Sequence, residues 1–365
     1  MKKIRFLDLS VSNVIEKKKL IDIFTNSLDD GVFVLGKKVH NFEKKIAKKL
    51  NRKYALGVSS GTNALYLSLK SAGIKRGDEV LVPSMSWYSS FTAIVMAGAI
   101  PIGIDIKDDL LMDLKNIEKK ITKKTKAILY VHFTGLVKDL TKLKKICKQK
   151  KIYLIEDCAQ SFCGKVNNNF AGSFADVSAF STNPMKVYAA LGDSGFVTTN
   201  NLKIYKKLLL LRYAGVDMKK DECFYPDLNN KIDTLQASIL DFRLSGIAKI
   251  IKKRISNAHY YEKNLMNVKK PLFSNKGNHV YYTYQIICEK RNKLKKFLEN
   301  NGIETKIQQN KLIYDHSGFK NFNRYSTKFA KGDILKRKIL CLPIHEKLTL
   351  SDLRFVTNKV NEFYN

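Results

Sequence analysis

The sequence predicts an α/β fold: a large domain with a mostly parallel central sheet and helices on both faces, followed by a smaller α+β domain. Three observations carry this. Short apolar runs, Tyr54 to Val58, Glu79 to Val82, Ile100 to Ile104, Ala127 to Val131 and Ile152 to Ile155, alternate with stretches of helical spacing. The runs are near-continuously apolar, as strands covered on both faces must be. After Asn200 the texture turns helical, and a second, shorter alternating region closes the chain.

In order along the chain, Val39, Phe42, Ile46 and Leu50 recur at helical spacing and place an amphipathic helix before the first strand. SSGTN is a turn between that strand and a helix beginning at Ala64. Ala179 to Thr182 and Phe196 to Thr199 read as two further strands. Helices are expected over Leu202 to Leu211 and, as one long element, from Thr234 to about Tyr261. Val280 to Cys288 and Ile303 to Ile307 read as strands, Leu294 to Asn300 as a helix, with a last helix after Ser351. The domains are therefore set at 1–245 and 246–365, the boundary falling inside the long helix.

With 66 Lys+Arg against 33 Asp+Glu, the chain has a formal charge of +33. An apolar fraction of 44% excludes a disordered polycation. The basic residues are mostly Lys and scattered from Lys2 to Lys359, whereas nucleic-acid binders concentrate charge in a stripe with Arg and aromatics. A basic nucleic-acid or membrane-surface binding protein is thus the disfavoured class. The six cysteines show no CxxC pair and no zinc-like spacing, so no metal site is expected. They read as reduced thiols of a cytoplasmic protein. The opening MKKIRFLDLS meets Asp8 before an apolar core develops, unlike a signal peptide. The most apolar region, Trp87 to Ile106, is interrupted by Ser89, Ser90, Thr92, Pro101 and Asp105, so no membrane span is expected.

Chemistry is expected at the carboxyl ends of the parallel strands. There, Gly61 and Thr62 in SSGTNAL could cradle a phosphate on the free N–H groups of a helix start, although an ordinary capped turn explains the same residues. Glu156 and Asp157 lie just past the strand Ile152 to Ile155; a carboxylate there could hold a cationic nitrogen protonated, or could cap the next helix. Lys186, following the strand-breaking Asn183 and Pro184, could act as a desolvated amine and form a Schiff base with an aldehyde. NNKIDTLQ supplies Asn229 and Asn230 in a turn. A phosphate cradle, a carboxylate for a ring nitrogen and a Schiff-base lysine are together what pyridoxal 5'-phosphate requires.

The motifs GKKVHNFE, SSGTNAL, DEVLVPS, IEDCAQ, FSTNPMK with LGDSG behind it, NNKIDTLQ, HVYYTYQI and LPIHEKLT, in this order, resemble the DegT/DnrJ/EryC1/StrS sugar aminotransferases. The resemblance implies a fold-type-I, pyridoxal-phosphate-dependent homodimer with shared active sites. It implies that Lys186 carries the cofactor, that Asp157 pairs with the pyridine nitrogen, and that Gln160 lies near the phenolic oxygen. Trp87 would stack on the ring. Gly61, Thr62 and Ser181 would hold the phosphate, with Asn229 reaching it from the other subunit in preference to Asn230. Relatives with His in place of this lysine are sugar dehydratases, so Lys186 favours transamination.

Such enzymes pass an amino group, taken from glutamate, to a keto group on a nucleotide-linked sugar, with pyridoxamine 5'-phosphate between the half-reactions, in amino-sugar and surface-glycan (polysaccharide) biosynthesis. Two departures concern the acceptor. KIQQNKLIYDH, with Gln308, Gln309 and Asn310, stands where many relatives have His-Tyr-Pro, and Lys231 replaces the Arg of their NxR stretch. The changed segment raises a small phosphorylated ketone, such as dihydroxyacetone phosphate, as an alternative acceptor.

Overall fold

In the computed structural model, residues 3–270, 278–325 and 328–365 are described. Helices α1 (Val14–Asp30) and α2 (Gly36–Lys49) precede β1 (Tyr54–Val58). The large lobe continues with α3 (Gly61–Ser71), β2 (Glu79–Pro83), α4 (Ser89–Met96), β3 (Ile100–Ile104), β4 (Thr125–Val131), α5 (Thr141–Lys150), β5 (Tyr153–Asp157), β6 (Val177–Ser181), β7 (Gly195–Thr199), α6 (Leu202–Arg212) and α7 (Thr234–Arg243). The seven strands form one sheet in the order β1-β7-β6-β5-β4-β2-β3. Only β7 runs against the others, pairing antiparallel with both β1 and β6; the remaining pairings are parallel. The expected mostly parallel sheet flanked by helices is what the chain forms.

Local chemistry explains the elements. The predicted seam of α2 is sealed, with Val39, Phe42, Ile46 and Leu50 essentially inaccessible. Helix α3 starts at Ser60, whose Oγ accepts from Asn63 N–H at 3.1 Å. The last helix, α11 (Leu350–Tyr364), opens with a capping box: Thr349 Oγ1 accepts from Asp352 N–H, and Asp352 Oδ2 from Thr349 N–H.

Helix α8 (Ile247–Asn264), β8 (Tyr284–Ile287), α9 (Arg291–Asn300), β9 (Ile339–Leu342) and α11 build the smaller α+β lobe, in which β8 and β9 pair antiparallel. The chain moves between two cores. Ile4, near the start, packs in the small-lobe cluster with Leu298 and Ile303. Leu312, Tyr314, Phe329 and Leu335, the last on α10 (Ala330–Lys338), return to the large one. Tyr314 Oη pins that return by donating to Pro101 O at 2.7 Å and accepting from Gly103 N–H at 2.9 Å.

Three sequence expectations are corrected. The long helix is broken by a 3-10 turn over Leu244–Gly246, where Gly246 lowers helix propensity. The run Val280 to Cys288 is strand only from Tyr284 to Ile287, because Tyr281 adopts φ +51°, incompatible with a ladder. Ile303 to Ile307 is extended but makes only isolated bridges, Ile303 to Ile4 and Lys306 to Cys341. Among the described residues no helix is long and apolar enough to cross a membrane.

Candidate active site

The carboxyl ends of β1, β2, β5 and β6 open on one cleft of about 370 Å³. Parallel strands bring their chain-distant ends to one side of the sheet. Gly61, Thr62, Trp87, Asp157, Gln160, Ser181 and Lys186 all line this cleft.

At one wall, α3 begins against the end of β6. A Cβ on Gly61 would sit 2.4 Å from Ser181 Cβ, so only glycine lets the helix start approach Ser181. Ser60 takes up Asn63 N–H and, through its carbonyl, Ala64 N–H. The N–H groups of Gly61 and Thr62 belong to the first turn and face no acceptor four residues back. Thr62 Oγ1 lies 2.9 Å from Ser89 Oγ. Hydroxyls and free N–H groups at a helix start make an anion cradle.

At the floor, Asp157 is 5% exposed. Its Oδ1 accepts from Ala159 N–H at 3.0 Å and its Oδ2 from Ser90 Oγ at 3.0 Å. Burial pushes the carboxyl above its usual value, against these two donors and the charge of Lys186. Glu156, its neighbour, points the other way, into the protein. It accepts from Gly172, Phe174 and Ala175 N–H, from Ser178 Oγ, and from His132 Nε2 at 2.8 Å. His132 Nδ1 accepts from Lys138 N–H, which leaves Nε2 as the donor to Glu156. Burial works against ionisation of Glu156, yet His132 and the backbone donors hold its pKa below the usual carboxylate range. Alternation along the strand end thus separates a structural carboxylate from one that faces the cleft.

Lys186 is half-buried, and its Nζ lies 4.6 Å from the centroid of the Tyr282 ring. Asn183 organises the approach: its carbonyl accepts Lys186 N–H at 2.8 Å and its amide donates to Asp193 Oδ1 at 2.7 Å. Gln160 Oε1 accepts from Thr134 N–H at 2.7 Å, fixing the side chain at the cleft edge. Trp87 is 42% exposed, with its ring 4.2 Å from that of Tyr88. Asn229 is not among the residues lining its own chain's cleft; it is exposed and forms an isolated bridge with Tyr213, whereas Asn230 is buried and donates to Leu211 and Leu228 carbonyls.

Ser90, Tyr282, Asp193 and Lys306 were not singled out from the sequence. Ser90 was visible only as a polar break in the most apolar region, and Tyr282 only as one letter of HVYYTYQI.

The model of the DegT/DnrJ/EryC1/StrS aminotransferase family matches residues 14–361. The chain is 32% identical over 364 residues to dTDP-3-amino-3,6-dideoxy-alpha-D-galactopyranose transaminase of Aneurinibacillus thermoaerophilus, covering 99% of each chain. It is 33% identical to GDP-perosamine synthase of Vibrio cholerae, covering 96% of each. Its fold matches a crystal structure of NtdA from Bacillus subtilis with bound cofactor PMP at a TM-score of 0.91 and 27% identity, over 99% of this chain and 85% of that one. The cleft fits such a cofactor. An anion cradle built on a required glycine, a buried carboxylate and a half-buried lysine line one space.

Proposed function

Because the chain belongs to the DegT/DnrJ/EryC1/StrS aminotransferase family and is a pyridoxal-phosphate-dependent enzyme, we propose that it moves an amino group from glutamate to the keto group of a nucleotide-linked sugar. The product would be an amino sugar for glycan assembly. The observation that carries this reading is the convergence of Lys186, Asp157 and the α3 start on one cleft. Relatives named for dTDP- and GDP-linked sugars support the acceptor class.

Bound pyridoxal phosphate supplies an aldehyde that condenses with amines and a ring that accepts the electron pair left when a proton leaves carbon. The protein's own residues do the rest. Asp157, buried at the end of β5, would pair with a protonated ring nitrogen and hold its proton through charge attraction in a poorly solvated site. Gly61, Thr62 and Ser181 would hold the phosphate, Trp87 would stack on the ring, and Gln160 would serve the phenolic oxygen. Lys186 would carry the cofactor's aldehyde and, as a free amine, would serve as the base and acid that moves a proton between carbons. The Tyr282 face stabilises the ammonium whenever Lys186 carries that proton.

We assign Asn229 to the phosphate of a second subunit's site, which requires a homodimer. Its exposure, outside the residues that line its own cleft, suits that role. A cytoplasmic location goes with a nucleotide-sugar acceptor. No feature of the cleft favours dihydroxyacetone phosphate, a nucleic acid or a membrane surface as the partner.

Purified protein should be yellow, and borohydride should fix the cofactor on Lys186. The aminated form, presented with 3-keto and 4-keto nucleotide sugars and dihydroxyacetone phosphate, should regain its visible band fastest with a nucleotide sugar. A wild type that stays colourless with added cofactor rules the mechanism out; failure of both nucleotide sugars rules out the acceptor.

A further inference from the structure

Four charged side chains line the cleft: Asp157, Lys186, Asp193 and Lys306. Three have partners in place. Asp157 accepts from Ser90 and Ala159, Asp193 accepts from Asn183, and Lys186 lies against Tyr282. Lys306 differs. It is half-buried, and among the described residues its ammonium has neither a carboxylate within ion-pairing distance nor a side-chain hydrogen bond. An ammonium partly removed from water without a counterion is poorly solvated, and an anion arriving beside it relieves that cost.

Its position is fixed by the backbone. Lys306 N–H donates to Cys341 O at 3.2 Å and Cys341 N–H to Lys306 O at 2.9 Å, so residue 306 is tied to β9. Along this extended stretch the side chains alternate. Thr305 and Gln309 are buried, whereas Lys306 and Gln308 face the cleft. Gln308 Oε1 is held by Gln285 Nε2 at 3.4 Å and by Cys341 Sγ at 3.9 Å. Lys306 therefore reaches the cleft from the small lobe, whereas the α3 cradle and the end of β5 belong to the large lobe.

We propose that Lys306 receives the anionic group of an incoming substrate, a carboxylate or a phosphoryl group, and orients that substrate over Lys186. The cofactor's phosphate has its own donors at α3, so the Lys306 charge is left for the second anion in the cleft. The substrate role rests on the aminotransferase reading; the anion site itself does not.

The test is calorimetric titration of wild-type, Lys306→Met, Lys306→Gln and Lys306→Arg proteins with two unreactive probes, glutarate for the carboxylate and inorganic phosphate for the phosphoryl group. Thermal melts check that each variant is folded. Losing a charge-assisted contact should raise Kd for one probe roughly 10- to 100-fold in the Met and Gln variants, with Arg restoring most of it. A glutarate effect assigns the site to the amino donor, and a phosphate effect to the acceptor. Unchanged Kd for both probes in Met and Gln, or no binding of either probe to wild type, overturns the proposal. So does a Lys306→Met protein that fails to retain pyridoxal phosphate, because that places the charge on the cofactor. The titration needs no turnover, so it reads Lys306 even in a protein that proves colourless, an outcome that would refute the aminotransferase reading alone.

Discussion

Ser90 Oγ donates to Asp157 Oδ2 at 3.0 Å across 67 residues of sequence. The Ser90 hydroxyl also lies 2.9 Å from that of Ser86, so the first turn of α4, backed by the loop after β2, supports the carboxylate at the end of β5. A buried carboxylate that must meet a cationic ring is thereby oriented before the ring arrives.

Removing that orientation should loosen the cofactor without abolishing its attachment. Ser90→Ala deletes one of two donors to Asp157, an effect of about 1–3 kcal/mol for a hydrogen bond to a charge. Dialysis of the yellow protein should show cofactor retention weakened roughly 10- to 100-fold, while borohydride still fixes the cofactor on Lys186. Retention equal to wild type would mean that Ala159 N–H suffices.

Asp157 also makes a prediction about the cofactor-free protein. Burial raises its folded pKa above the unfolded value. Its contribution to stability is then fully present below the unfolded pKa and is lost as pH rises through the folded one. Asp157→Asn should therefore melt higher than wild type near neutral pH, by a few degrees at most, and the gain should vanish in acid. In the loaded enzyme the sign reverses: loss of a buried charge partner should lower kcat on the order of 10²- to 10³-fold. Melting curves against pH and single-turnover rates check the two halves.

Glu156 behaves oppositely. Burial raises its pKa, but His132 and the N–H groups of Gly172 and Ala175 prevail and hold it down. A depressed folded pKa means stability present above the unfolded pKa and lost as pH falls through the folded one. Glu156→Gln puts an amide where at least one N–H must go unanswered, and should cost about 2–4 kcal/mol at pH 7. The gap to wild type should narrow in acid, as denaturant titrations at several pH values would show.

Gly61→Ala pushes a methyl to 2.4 Å from Ser181 Cβ, so α3 or β6 must shift. Overpacking of this kind costs about 1–3 kcal/mol, and the displaced cradle should bind pyridoxal phosphate at least ~10-fold more weakly. Absorbance titration of apoprotein measures it; unchanged affinity would move the phosphate elsewhere.

The +33 charge bears on capture. A net positive field speeds the arrival of phosphorylated ligands and is screened by salt. Apparent affinity for a nucleotide-sugar acceptor should fall as salt rises from 50 to 500 mM, by roughly 10-fold. A flat response would leave the charge as composition alone.

Features that reside in consecutive residues were readable before folding. The strand ends carrying Gly61, Asp157 and Lys186 are each a local change from apolar run to polar turn, and a parallel sheet gathers such ends by construction. Even the separate fates of Glu156 and Asp157 follow from the two-residue repeat of a strand. What only the tertiary structure decided lies in contacts without a local signature. Ser90 reached Asp157 because β2 and β5 both flank β4. The apolar run after Val280 was cut at Tyr281 by a positive φ that hydrophobic spacing does not encode, and Tyr282 was left facing Lys186. The stretch around Lys306 read as a strand, yet it makes only isolated bridges, Ile303 to Ile4 and Lys306 to Cys341. Pairing depends on what stands alongside, and so Lys306, without an ion-pair partner among the described residues, came into view in the cleft only once the two lobes were assembled.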